Sequence, residues 1–402
     1  MHMQEQHQLL RSLSLTEISF YGIGTIVGAG IYVLLGTVVN ESGMATPSAF
    51  LLSVIIVSFS AYSYSQMARR FPSSAGEAVY VMEGLQSRRL SALTGYAISV
   101  SGIVSAATIA RGFTGYFAFF SVLPPWSIIV LLVVILTALA SWGVKQSVTM
   151  AVLTTLLEIG GLLLVLIVSG DEIANQKIPW GEFVPVFDRN HLAPVVSGAF
   201  LAFFAFIGFE DMVNMAEEVK NPGRNLPMGI AIALVTTGLL YGAVAIAALV
   251  TIPLNELRNS EAPLALLIEH NSNVPVETMA IISMIAIING ALIQIIMVSR
   301  VLYGMAKRHM APSLLGSVHP VTRTPIIATL LTGLLVIVFS LWLPITTLAK
   351  TTSALILVVF TLVNLALLVM NCREKNWNFL ELLLPAIGAL LCISFLGLQI
   401  LN

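Results

Sequence analysis

Gly22-Ile-Gly-Thr-Ile-Val-Gly-Ala-Gly-Ile-Tyr32 lies inside the first long apolar run of the chain, and its reading decides the fold. Four of its first nine residues are glycine (Gly22, Gly24, Gly28 and Gly30). Each costs a helix up to about 1 kcal/mol relative to alanine. In lipid, backbone groups freed from a helix are tolerated only where protein or a polar cavity covers them. The stretch therefore predicts a membrane helix that breaks and offers N–H and C=O groups to a solute. Close helix packing through small residues is the competing explanation.

Composition sets the class. The 402 residues are 57% hydrophobic and 10% charged, whereas soluble domains carry about 25% charge. Long apolar runs joined by short polar connectors read as a polytopic helical membrane protein. A net charge of −1 argues against a nucleic-acid partner. Cys372 and Cys392 are too widely spaced along one span to bridge, and no metal-ligand spacing occurs, so neither a metal nor another cofactor is expected.

Eleven spans are predicted, at 15–39, 47–67, 91–119, 125–142, 148–169, 193–217, 227–251, 277–303, 325–343, 350–370 and 377–400. The first is too long, and lacks the cleavage site, for a removed signal peptide. Lysine and arginine fall mainly on the side of the N-terminus: fourteen there, four on the other side, and Arg111 within a span. This places the N-terminus in the cytoplasm and, with eleven spans, the C-terminus outside. A prokaryotic inner (plasma) membrane is expected.

A second interrupted run is Gly198-Ala-Phe-Leu-Ala-Phe-Phe-Ala-Phe-Ile-Gly-Phe-Glu-Asp-Met212. Gly28 and Gly208 each lie in the first span of a five-span block, and the two blocks enter the membrane from opposite sides. That is the sequence pointer to an inverted-repeat transporter. The organisation read from it is an N-terminal tail (1–14), a first five-helix repeat (15–170), a connector (171–192), a second repeat (193–370) and an added helix (371–402). A break at Gly28–Gly30 would free the N–H groups of Gly30, Ile31 and Tyr32 at a positive helix end, an anion site. A break after Phe204 would leave the carbonyls of Phe204, Ala205 and Ile207 for an ammonium group. A carboxylate site facing an amine site describes an α-amino acid.

Four motifs then carry a family resemblance: Gly24-Thr-Ile-Val-Gly-Ala-Gly-Ile-Tyr32; Tyr64-Ser-Gln-Met-Ala-Arg-Arg-Phe-Pro-Ser-Ser-Ala-Gly-Glu-Ala-Val-Tyr80; Phe204-Ala-Phe-Ile-Gly-Phe-Glu210 with Glu217-Glu-Val-Lys-Asn-Pro222; and Ser299-Arg-Val-Leu-Tyr-Gly-Met-Ala306. In order and spacing the chain resembles amino acid permeases of the amino acid–polyamine–organocation (APC) superfamily. The resemblance implies an all-α, leucine-transporter-like 5+5 inverted repeat with helices 1 and 6 interrupted. It also implies a substrate site between the first and sixth spans, with Ala29, Gly30 and Ile31 serving the carboxylate and Phe204, Ala205 and Ile207 the amine. Phe204 takes the place of an aromatic gate.

Glu158 sits mid-way along the fifth span, and an intramembrane carboxylate is a functional hypothesis by default. Three roles stand open: a proton carrier, a cation ligand against the first span, or a buried acid hydrogen-bonded for structure. Arg111 in the third span either snorkels outward, pairs with an acid, or gates. Glu210, with Asp211, offsets the dipole of the inner half of span six or takes part in gating. Side-chain selectivity is expected from Ile98, Ser101 and Gly102, from Phe204 and Phe206, and from Asn289 and Gln294. None of these is acidic, which favours a neutral amino acid. All six histidines lie in tails or connectors, so an enzyme is not indicated. A proton-coupled secondary transporter is the leading function, with exchanger, exporter, amine or polyamine carrier, and nontransporting sensor as alternatives. Amino acid, protons and lipid are the expected partners.

Overall fold

The computed structural model describes residues 13–72, 76–142, 148–175, 178–185, 189–216, 218–322, 324–374 and 378–401. Residues 1–12 of the expected tail, and the side chain of Ala29, lie outside the described set. The chain folds as α1 (Leu15–Ser42), α2 (Thr46–Arg70), α3 (Gly76–Leu85), α4 (Arg88–Phe117), α5 (Pro125–Trp142), α6 (Val148–Val168), α7 (Gly170–Asn175), α8 (Trp180–Phe183) and α9 (Arg189–Phe204). It continues as α10 (Asp211–Asn214), α11 (Pro222–Thr251), α12 (Leu254–Asn259), α13 (Pro263–Asn271), α14 (Val276–Lys307), α15 (Ile326–Trp342), α16 (Ile345–Arg373) and α17 (Phe379–Leu401). Every predicted span coincides with one of these helices, the sixth being shared by α9 and α10.

Local sequence places the ends. Ser14 and Glu17 form a reciprocal capping box that starts α1, and Gly43, at φ +55°, ends it before Pro47 opens α2. Pro222, Pro275, Pro325 and Pro344 stand at or just before the starts of α11, α14, α15 and α16. Among the described residues eight helical stretches are long and apolar enough to cross a membrane, and α9 and α15 are shorter apolar helices. Leu131 and Val134 on α5, Leu330 and Leu334 on α15, and Leu390 and Ile393 on α17 are exposed as a lipid-facing belt would be.

α1 runs through the middle of the bundle, in contact with α6, α9, α11 and α14, while α14 lies along α4 and α16 packs on α4 and α17. The expected interruption of the first span is corrected here: α1 is continuous from Leu15 to Ser42. The missing Cβ atoms serve close approach instead. A Cβ on Gly30 would fall 2.8 Å from Ala205 Cβ and nearer still to its Cα, and one on Gly22 would meet the Met212 side chain. In an apolar bundle an unbroken ladder keeps the backbone paired, and small residues let neighbours close in on it. The second interruption is present. α9 stops at Phe204 and α10 starts at Asp211, with three-residue-spaced hydrogen bonds at Ala205, Phe206 and Ile207 and Gly208 at φ +127°, a conformation that suits glycine.

Candidate functional site

The α9–α10 break is held by neighbours whose hydroxyls reach its carbonyls. Thr25 Oγ1 on α1 donates to the Gly208 carbonyl at 3.0 Å. Tyr241 Oη on α11 lies 2.8 Å from the Ile26 carbonyl and 3.1 Å from that of Ala205, so one phenol spans α1 and the break. Glu210 turns back on its own chain: its Oε2 accepts the Gly208 N–H at 2.8 Å. A Cβ on Gly208 would sit 2.5 Å from the Thr25 carbonyl, so the turn is pressed directly onto α1.

The same arrangement extends along α1. Its carbonyls at Phe20, Ile26 and Tyr32 accept from Thr155 (3.1 Å), Tyr241 (2.8 Å) and Tyr116 (2.6 Å). A helical carbonyl keeps a second lone pair, so these hydroxyls bond without opening the ladder.

Beside the break is a cavity walled by α1 (Thr25, Ile26, Gly30), α4 (Ser105, Ile109), the break and α10 (Phe204, Ile207, Asp211) and α14 (Gly290, Ile293, Gln294). Its free volume of about 30 Å³ has room for about two waters. Ile26, Ile109, Phe204, Ile207 and Ile293 give the apolar part of its lining. Thr25, Ser105, Gln294 and Asp211 give the polar part.

Of the residues expected at a site, Gly30, Phe204, Ile207 and Gln294 meet in this wall. Gly28 faces Gly290, with 4.0 Å between a built Cβ and the Gly290 Cα. Ser101 stands one turn from the wall, which takes Ser105 and Ile109 from the same face of α4. Ile31 and Phe206 are fully buried, and Phe206 packs edge-on against Phe50 and tilted against Tyr241 rather than lining the cavity. The Ala205 carbonyl is occupied by Tyr241, and that of Phe204 accepts the Ile207 N–H at 3.2 Å. With α1 continuous, the N–H groups of Gly30 and Ile31 belong to its ladder. Arg111 Nη1 donates to the Ser340 carbonyl at 2.7 Å, tying α4 to the end of α15 and not to the cavity.

Glu158, on α6, is buried on the far side of α1. Asn289 Nδ2 reaches its Oε1 at 3.4 Å, while Oε2 is buried with no hydrogen-bond partner among the described residues. Its backbone carbonyl accepts Tyr32 Oη at 2.6 Å. Asn289 therefore serves Glu158, and the next residue, Gly290, serves the cavity.

Sequence reasoning missed Thr25, Ser105, Ile109, Ile293, Tyr241 and the wall position of Asp211. Ser105 and Ile109 were within reach, one turn on from Ser101 at helical spacing. A tyrosine within an apolar run gives no sign of which carbonyl it will meet.

The family profile described as "Amino acid permease" matches residues 13–401. The chain is 29% identical over 393 residues to "Cationic amino acid transporter 4, vacuolar" of Arabidopsis thaliana, covering 91% of this chain and 64% of that protein. The "Branched-chain amino acid permease BcaP" of Bacillus subtilis (strain 168) is 26% identical over 395 residues, 92% of this chain and 83% of that one. The "Methylthioribose transporter" of the same organism is 27% identical over 422 residues, at 96% and 88%. The chain thus spans less than two thirds of the length of the plant relative. Among solved structures, a substrate-bound, outward-open Na+-coupled sialic acid symporter superposes with a TM-score of 0.62 at 13% identity, covering 94% of this chain and 88% of that one, and so shares the fold.

Proposed function

Because this chain belongs to the amino acid permease family, we propose that it is a secondary carrier moving a neutral L-amino acid by alternating access with proton coupling. The observation that carries this reading is the cavity at the α9–α10 break, half apolar and half polar, at a depth reached by four helices. Its apolar half suits an aliphatic side chain. Ser105 and Gln294 supply a hydroxyl and an amide donor for a carboxylate. Two five-helix halves, 15–170 and 193–370, rock about this point. The N-terminus lies in the cytoplasm, in a prokaryotic plasma membrane, and Phe204 closes the cavity from outside.

Glu158 is the proposed proton carrier, supported by its orphan Oε2 and its contact with Asn289 next to the cavity wall. A cationic amino acid is the second reading. Asp211 places a carboxylate in the wall, and the similar plant protein is named for cationic substrates.

The test is uptake of labelled leucine, alanine and lysine by full-length protein in liposomes, with and without a pH gradient. Uptake driven by an inward proton gradient is expected, with the gradient's effect lost in Glu158→Gln. A full pH response in that variant would remove Glu158 from coupling. A requirement for internal substrate would turn the reading to exchange.

A further inference from the structure

The Asp211 carboxylate is the unexplained group of the cavity. The residue is 7% exposed and is one of the residues that wall the cavity. Among the described residues no lysine, arginine or histidine forms an ion pair with it. Among the described residues no side chain or backbone N–H donates a hydrogen bond to its oxygens either. Its neighbour differs: the Glu210 carboxylate is engaged by the Gly208 N–H. A buried carboxylate without a partner is costly, and proteins retain such a cost mainly where a ligand removes it.

The surroundings say what that ligand carries. Glu210 is next in sequence, and Glu77 from α3 is near enough for its charge and that of Asp211 to act on one another. Asp211 thus stands within the field of two further acids. An incoming carboxylate would be repelled here and drawn to the Ser105 and Gln294 donors. An incoming ammonium group would find Asp211, the only acidic residue of the wall among the described residues.

We propose that Asp211 is the anchor for the substrate's ammonium group, taking the amine role assigned in the sequence to the break carbonyls. The proposal rests on the carrier reading above. It deepens that reading by requiring a protonated amine in every substrate, whether neutral zwitterion or cation. It also sets one orientation for the substrate, amine toward α10 and carboxylate toward α4 and α14.

The experiment is thermal melting of the detergent-purified full chain with leucine, with isopentylamine (the amine alone) and with 4-methylpentanoate (the carboxylate alone). Wild type is expected to be stabilised by leucine and by isopentylamine, and much less by 4-methylpentanoate. In Asp211→Asn the amine's apparent affinity should fall at least tenfold. The ligand-free melting temperature should hold or rise, because a buried unpaired charge is gone. Asp211→Glu, which keeps the charge and shifts it by one methylene, should fall between the two. An amine shift of equal size in wild type and Asp211→Asn overturns the proposal, as does no amine shift in wild type. An Asp211-dependent amine shift without any response to leucine supports the anchor and removes the amino acid reading.

Discussion

At the scale of single residues, the chain balances buried polar groups against one another across helices. Hydroxyls of Thr25, Tyr116, Thr155 and Tyr241 donate to backbone carbonyls rather than to other side chains, each contact contributing about 1 kcal/mol. The acids are the exception. Glu77 stands outside the spans, on α3, with 5% exposure. Burial pushes its carboxyl up to about 7 from an ordinary value near 4.5, with the charge of Asp211 adding to the rise. Between those two values the folded protein holds a proton that the unfolded chain has released. Stability therefore falls as pH rises from about 4.5 to about 7, by up to about 3 kcal/mol, and Glu77 contributes no slope outside that window. Melting temperatures across this range should decline for wild type and stay flatter for Glu77→Gln. Parallel profiles would locate the pH response in another group.

At the scale of elements, α1 shows where glycine acts as a spacer and not as a breaker. Gly30→Ala drives a methyl group into the backbone of Ala205, where no rotamer change relieves it. A loss of about 1–3 kcal/mol is expected from overpacking, together with reduced uptake, because the contact lies at the cavity wall. Gly160→Ala on α6 is the matched control: nothing lies within 4 Å of the new methyl, so the helix should gain up to about 1 kcal/mol. Melting curves of the two variants separate spacing from propensity. This also marks what the sequence could tell. Span positions and the α9–α10 break were legible because hydropathy and an acidic pair beside a glycine are local signals. The continuity of α1 was not, because Gly22, Gly24 and Gly30 read alike whether a helix opens or a neighbour presses in. Gly30, Phe204, Ile207 and Gln294 of the cavity wall were found from motif and spacing. Tyr241 and Asp211 act through contacts made only when α10 and α11 are placed against α1.

At the scale of the molecule, the cavity of about 30 Å³ is too small for an amino acid, so the proposed transport requires the helices to part for loading. Both ends of α1, about 40 Å apart at 1.5 Å per residue, are tied to the discontinuous helix. At the start, Leu13 pairs with the segment after α10, its N–H donating to the Glu218 carbonyl at 2.9 Å and its carbonyl accepting the Lys220 N–H at 2.8 Å. At the other end, Glu41 of α1 accepts from Lys350 of α16 at 3.1 Å and from Ser197 of α9 at 2.9 Å. The Lys350–Glu41 pair is partly exposed, so it contributes at most about 1 kcal/mol to folding. Between two conformations of similar energy, however, about 1 kcal/mol shifts the population roughly fivefold. Lys350→Met should therefore leave the melting temperature nearly unchanged while opening the cavity toward the Glu41 end. A cysteine placed at Gln294, in a chain with Cys372 and Cys392 replaced, should react several-fold faster with a water-soluble maleimide once Lys350 is methionine. Leucine should slow that reaction. An unchanged labelling rate would mean that packing of α1, α9 and α16, and not this ion pair, holds the cavity shut.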